Sequence, residues 1–134
     1  MLIVDLVSIN ESAIQQVATL LVESFATNWP DAWPNMESAL EEVRESFGVD
    51  RISRIAVDED GTVLGWIGGI SQYHGHVWEL HPLVVRVSKQ GKGIGRALVA
   101  DLEARVKERG GLTITLGTDD VNYCLLYTSP SPRD

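Results

Sequence analysis

Three glycines at alternate positions, in the run Gln90-Gly91-Lys92-Gly93-Ile94-Gly95-Arg96, separate a strand-like segment from a helix-like one. Upstream, His76 to Val85 is rich in β-branched and alternating side chains; downstream, Leu98, Leu102 and Val106 recur every four residues, one face of a helix from about Ile94 to Arg109. Gly110-Gly111 closes that helix as a left-handed C-cap, and Leu112 to Leu116 reads as a further strand. Strand, loop, helix and returning strand form an α/β unit whose two strands run parallel, and the ligands of such sheets sit at the C-terminal strand ends. A loop entering a helix N-terminus offers unpaired N–H groups and the positive end of the helix dipole, so it binds anions. Lys92 and Arg96 add charge there, with Ser88 and Lys89 at the rim. A tight turn that merely starts a helix would use the same glycines.

Two phosphate loops fail on spacing. A P-loop requires G-x-x-x-x-G-K-[ST], whereas Lys92 is followed by Gly93 and carries no hydroxyl for a metal ion beside it. A dinucleotide fingerprint requires G-x-G-x-x-G/A; Gly91-x-Gly93 reaches Arg96 and Gly93-x-Gly95 reaches Leu98. Q-x-x-G-x-G, from Gln90 to Gly95, is a third pattern.

The rest of the chain supplies the remaining elements. Leu2 to Val7 reads as a strand, and Ser8-Ile9-Asn10-Glu11 has the form of a capping box. Behind it Ile14, Val17, Ala18, Leu21, Val22 and Phe25 make one helical face. The two prolines of "NWPDAWPN" end that helix and place Trp29 and Trp33 in a loop; Asn35 then caps a second helix with Met36, Leu40, Val43 and Phe47 on one face. Arg51 to Val57 and Thr62 to Ser71 read as a hairpin about Asp58-Glu59-Asp60-Gly61. The order is β-α-α-β-β-β-α-β, an α/β fold with a mixed sheet. After Asp120 no strand or helix period is visible, and Ser129-Pro130-Ser131-Pro132 favours an extended tail.

At 134 residues the chain suits one domain. Its net charge of −8 argues against nucleic acid or an anionic membrane as partner and for a cationic one, although solubility alone also accounts for it. Cys124 is the single cysteine, so there is no internal disulfide, and "MLIVDLV" is too short and lacks the basic flank of a signal peptide. A cytoplasmic location is expected, with no metal site.

In "HVWELHPLVV" Val77, Glu79 and His81 share one face, with Trp78 and Leu80 on the other. An acid and an imidazole on one face of a strand can converge on one substrate group. Pro82 lacks a donor, so pairing is expected to break or bulge there.

The glycine loop, set between "LHPLVVRV" and "ALVADLE", resembles the acetyl-coenzyme A loop of the GNAT N-acetyltransferase superfamily. "WELHPLVV", "RGGLTITLGTDD" and "QVATLLVESFATNWPDAWP" are similar to one group of aminoglycoside 6'-N-acetyltransferases within it, over roughly residues 1–122. The resemblance implies a GNAT fold, a mixed, mostly antiparallel sheet flanked by helices, and acetyl-CoA as cosubstrate. It implies that the backbone of Gln90, Gly91, Lys92, Gly93, Ile94, Gly95 and Arg96 cradles the coenzyme A pyrophosphate, with the pantetheine arm along Leu83, Val84 and Val85. Together with the residues it implies a slot between the strand before the loop and the final strand, through which the thioester reaches Glu79.

Acetyl transfer to an amine needs a base, an aligned nucleophile and an oxyanion donor. Glu79 is the first candidate for the base and His81 the second, as base or orienting group; a backbone N–H near Val84 or Val85 is the implied oxyanion donor. An ordinary half-exposed carboxylate and a structural histidine are the alternatives. Trp29, Trp33, Asp31 and the series Glu37, Glu41, Glu42 and Glu45 either line a polyamine site or form a packing cap and a solvated face. Asp119 and Asp120, past the final strand, are better placed for a cationic sugar. Cys124 is set aside as a nucleophile, having no histidine nearby in sequence. Members of the family continue past "LGTDD" with a helix and strands and a tyrosine general acid. Here residues 123–134 read as an irregular, foreign tail, so the domain is expected to lack its C-terminal helix and strands, and neither Tyr123 nor Tyr127 is assigned as the acid. An exposed final strand would invite homodimerisation.

Overall fold

The computed structural model describes residues 1–25, 33–116 and 125–128. It contains β1 (Leu2–Asp5), α1 (Glu11–Phe25), α2 (Met36–Glu45), β2 (Arg51–Val57), β3 (Val63–Gln72), β4 (Val77–Val85), α3 (Ile94–Glu108), β5 (Thr113–Leu116) and β6 (Leu125–Thr128). The six strands lie in sequence order in one sheet, all neighbours antiparallel except the parallel pair β4–β5. The expected α/β mixed sheet is therefore present. No helix among the described residues is long and apolar enough to cross a membrane.

Local signals account for most boundaries. The Asn35 side chain accepts a hydrogen bond from the Ser38 N–H at 2.9 Å and starts α2, as expected. Gly110, with φ 82°, follows the end of α3. The capping box at Ser8 is corrected. Asn10 caps α1, accepting from the Ala13 N–H at 3.1 Å, which leaves Glu11 in the first turn where its charge favours the helix dipole.

The expected irregular tail is also corrected in part. Leu125–Thr128 pairs antiparallel with β5, so β5 is covered rather than left as the open edge. The unpaired donors and acceptors of a final strand favour any short extended segment that reaches them, and the serines and prolines beyond 128 obscured the apolar "LLYT" in the sequence.

Two apolar layers enclose the sheet. On one face α1 and α2 bury Ile14, Val17, Leu21, Ala39 and Val43 against Ile55, Trp66 and Val84. On the other, α3 buries Leu98, Leu102 and Val106 against Ile52, Ile67, Trp78, Leu80 and Ile114. A fully buried leucine of this kind contributes about 1.5–3 kcal/mol of transfer free energy. The Trp66 indole N–H, wholly enclosed, donates to the Ser53 hydroxyl at 2.8 Å, and Ser53 in turn meets Ser46 at 3.0 Å. A short chain of hydroxyls thus satisfies the polar atom that tryptophan burial would otherwise strand.

The register of β3 and β4 matters most for the site. Ile67 pairs with Leu83 and Gly69 with Leu80, so His81 and Pro82 together oppose Gly68. This is the bulge expected at Pro82, and it inverts the strand's alternation. Before it, Trp78 and Leu80 face α3; after it, Leu83 and Val85 pack on the α3 side while Val84 joins the α1–α2 side. Gly68 is required opposite the bulge, because a Cβ there would lie 2.5 Å from the His81 carbonyl oxygen. Gly68→Ala should cost about 1–3 kcal/mol as an overpacked site, seen as a lower urea midpoint. An unchanged midpoint would show that the strands have room to separate.

Candidate active site

The glycine loop forms a cleft at the head of α3. β4 ends at Val85, a single helical turn follows at Val87–Lys89, and Gly91 and Gly93 take φ values of 81° and 87°. Residues with a Cβ avoid that region, so the path of the loop depends on these two glycines. Gly93 is the N-cap of α3 without any side-chain cap, and the first intrahelical bond runs from the Ala97 N–H to the Gly93 carbonyl. The N–H groups of Ile94, Gly95 and Arg96 therefore precede the helical ladder and stand at its positive end. They border a cleft of about 330 Å³ lined by Val85, Lys89, Gln90, Gly91, Gly93, Ile94, Gly95 and Arg96.

Not every expected loop residue faces that cleft in the same way. The Gln90 amide donates to the Val85 carbonyl at 3.1 Å and ties the loop to the strand end. Lys92 is exposed outside the lining, and Lys89 supplies the cation there in its place. Ile94 and Val84 bury their side chains in the core, 7% and 3% exposed, so only their backbones can meet a ligand. Leu83 and Val85 remain half-buried on the α3 side.

Glu79 lies just before the bulge and His81 is its first residue, both half-buried and both on the α1–α2 side of β4. Glu79 Oε1 accepts a hydrogen bond from Gln72 Nε2 at 2.7 Å, across the β3–β4 turn. His81 Nε2 lies 3.7 Å from Glu42 Oε2, an ion-pair separation rather than a tight hydrogen bond. The Trp33 ring sits 6.1 Å from the imidazole, tilted by 40°, and is itself packed edge-on against Phe25 at 4.9 Å. The site thus joins the loop before α2, α2 itself, β3 and β4.

The electrostatics follow from this grouping. Contact with Glu42 raises His81 above its ordinary 6.5; burial opposes it, the Glu79 charge adds to it, and Arg51 subtracts from it. His81 in turn lowers Glu42 below its ordinary 4.5 against the cost of burial, helped by Arg51 and by a Trp33 hydrogen bond. A raised base contributes stability below its unfolded value and loses it as pH rises through the folded one; a lowered acid contributes above its unfolded value and loses it as pH falls. The Tm difference between the parent and Glu42→Gln should therefore be widest between pH 4.5 and 6.5 and narrow on both sides. A difference that grows steadily toward alkaline pH would contradict the ion pair.

Gln72 escaped the sequence reading, and Glu42 stood there only as one of four glutamates with the same two readings. Glu37, Glu41 and Glu45 are exposed as a solvated face would be, but Glu42 is half-buried. The sequence did hold a signal, since Ala39, Glu42, Val43 and Ser46 follow the i, i+3, i+4, i+7 spacing of a buried stripe. Gln72 pairs with Val77, which makes Glu79 its diagonal neighbour; only the exact turn length reveals that. Trp29, Asp31, Asp119, Asp120, Tyr123 and Cys124 lie outside the described residues. β4 and β5 pair from Val77–Thr113 to Leu80–Leu116, and β4 then continues to Val85. Among the described residues its final segment has no partner on that side. A larger cleft of about 470 Å³ lies at the other end of α3, lined by residues that include Arg51, Arg105 and Arg109. There Arg109 is engaged with the Val49 and Arg51 carbonyls and the Trp78 ring, and no acid–imidazole pair converges.

A strand that carries an acid and an imidazole up to its bulge, and runs on into a glycine loop at an uncapped helix N-terminus, belongs to an α/β domain with a mixed sheet. Residues 14–124 match the family described as acetyltransferase (GNAT), and the chain belongs to that family. Among solved structures it is 41% identical to an aminoglycoside 6'-N-acetyltransferase complexed with coenzyme A, covering 90% of this chain and 63% of that one, with a TM-score of 0.76. It is likewise 41% identical to the aminoglycoside 6'-N-acetyltransferase from Enterococcus faecium (90% and 63% covered, TM-score 0.75) and to an aminoglycoside 6'-acetyltransferase type Ii (90% and 73% covered, TM-score 0.75). The chain thus spans less than two thirds of the first two. No curated protein matches it.

Proposed function

We propose that this chain carries the acetyl-transfer machinery of an aminoglycoside 6'-N-acetyltransferase, using acetyl-CoA and a cationic amine acceptor. The carrying observation is the division of β4 by its bulge, with Glu79 before it, His81 at it and the strand end leading into the glycine cradle beyond it. Likeness at 41% identity to aminoglycoside acetyltransferases supports the acceptor class, as do the carboxylates of Glu42 and Glu79 at the site.

Acetyl-CoA fits the residues present. Glycines at positive φ and the uncapped N-terminus of α3 suit a pyrophosphate, with Lys89 and Arg96 beside them, and the end of β4, which among the described residues has no partner on its β5 side, suits an extended amide-bearing arm. Bound there, it supplies an acetyl group activated as a thioester. Glu79, held by Gln72, takes the proton that the acceptor ammonium must lose before its nitrogen can attack. A backbone N–H at Val84 or Val85, beyond the last β4–β5 pair, meets the developing oxyanion. His81, already partnered by Glu42, orients rather than abstracts.

Titration with acetyl-CoA, paired with thiol release in the presence of kanamycin-type aminoglycosides, tests the reading. Saturable binding with aminoglycoside-dependent thiol release is expected. Turnover confined to non-sugar amines would move the activity to another acceptor, and binding without turnover would make the chain a non-catalytic acyl-CoA module.

A further inference from the structure

His81 has three neighbours that suit a cation. Glu42 reaches it from α2 at 3.7 Å, Glu79 lies two residues away on the same face of β4, and the Trp33 ring lies 6.1 Å away between centroids, tilted by 40°. Arg51 at the start of β2 is the opposing charge among the described residues. The Glu42 side chain is only 19% exposed and that of His81 34%, so water screens their attraction incompletely. An α2 carboxylate at the border of an otherwise apolar stripe needs a reason to be there, because a half-buried, unpaired carboxylate is costly.

We propose that Glu42 is a positioning residue that clamps His81 beside Trp33, which reserves the general-base role for Glu79. The clamp links two elements that local sequence does not connect, since residues 42 and 81 are brought together only by α2 packing on the sheet. It has two chemical consequences. His81 Nε2 is turned toward Glu42 and so is not presented to the acceptor, which leaves the acceptor's proton to Glu79. Any positive charge on His81 is matched by Glu42, which leaves the Glu79 carboxylate as the net negative group facing a cationic amine. The catalytic meaning of the clamp rests on the acetyl-transfer reading; its existence does not.

The test is an NMR titration of the three imidazoles in the ligand-free chain, with His81 assigned through His81→Asn. His81 is expected to titrate above its ordinary 6.5, to fall on Glu42→Gln, and to fall less on Glu79→Gln. A parent His81 midpoint at or below 6.5 overturns the clamp without recourse to any variant. So does an unchanged midpoint in Glu42→Gln, or a larger drop in Glu79→Gln. In turnover, Glu42→Gln should shift the pH profile of kcat/KM while leaving the KM for acetyl-CoA unchanged, and a profile superposable on the parent's overturns the catalytic role. The two readings fail differently: absence of thiol release from every chain counts against acetyl transfer, whereas superposable His81 titrations count against the clamp.

Discussion

Glu79→Gln should lower kcat by about 10²–10⁴-fold, the usual contribution of a positioned general base, while acetyl-CoA binding stays at the parent level. The substitution is nearly isosteric and retains an oxygen that can accept the 2.7 Å hydrogen bond from Gln72, so the β3–β4 turn keeps its tie. The capacity to take a proton and the negative charge are removed together. The anion cradle lies past the bulge, on the far side of His81 and Pro82, and is built from backbone that Glu79 does not touch. His81→Gln should cost less, because a histidine partnered by Glu42 orients the acceptor rather than deprotonating it. Full turnover by Glu79→Gln, measured by thiol release at saturating acceptor, would remove Glu79 as the base. A larger loss in His81→Gln would reverse the two roles.

Asp101→Asn should destabilise the fold by about 3 kcal/mol, the cost of leaving one partner of a largely buried ion pair uncompensated. Arg54 on β2 holds Asp101 on α3 by two hydrogen bonds, at 2.7 and 3.1 Å, and the side chains are only 12% and 15% exposed. The same guanidinium reaches Asp5 at 3.0 Å and the Ile3 carbonyl at 3.3 Å, so one side chain joins β1, β2 and α3. Asp5 is 70% exposed and offers little compensation. Urea denaturation measures the loss. The double replacement Arg54→Leu with Asp101→Leu should recover much of it, since no charge is then left buried. A loss below about 0.5 kcal/mol in Asp101→Asn would mark the pair as one of the surface type.

The elements that were legible in the sequence are those whose cause is local. Leu98, Leu102 and Val106 announced α3, Asn35 announced the start of α2, and Asp58 to Gly61 announced the hairpin, because period, cap and turn chemistry act within a few residues. Where two local signals compete, the reading slipped. Ser8 and Asn10 both suit a helix cap, and the turn closed by the Asn10 N–H on the Val7 carbonyl decides for Asn10. At the tail, proline and serine outweighed a four-residue strand that pairs with β5.

The sequence by itself determined that a glycine loop joins a strand to a helix, that Glu79 and His81 share a face of that strand, and that Pro82 breaks its pairing. Each follows from backbone geometry that neighbouring residues impose on one another. Only the tertiary structure decided which way those faces point and what meets them. The bulge opposite Gly68 sends Val84 into the α1–α2 layer and leaves Leu83 and Val85 beside α3. The packing of α2 selects Glu42 from four glutamates, and the β3–β4 turn brings Gln72 to Glu79. These contacts span from 7 to 39 residues of chain, and burial and register set them, quantities that no single segment encodes.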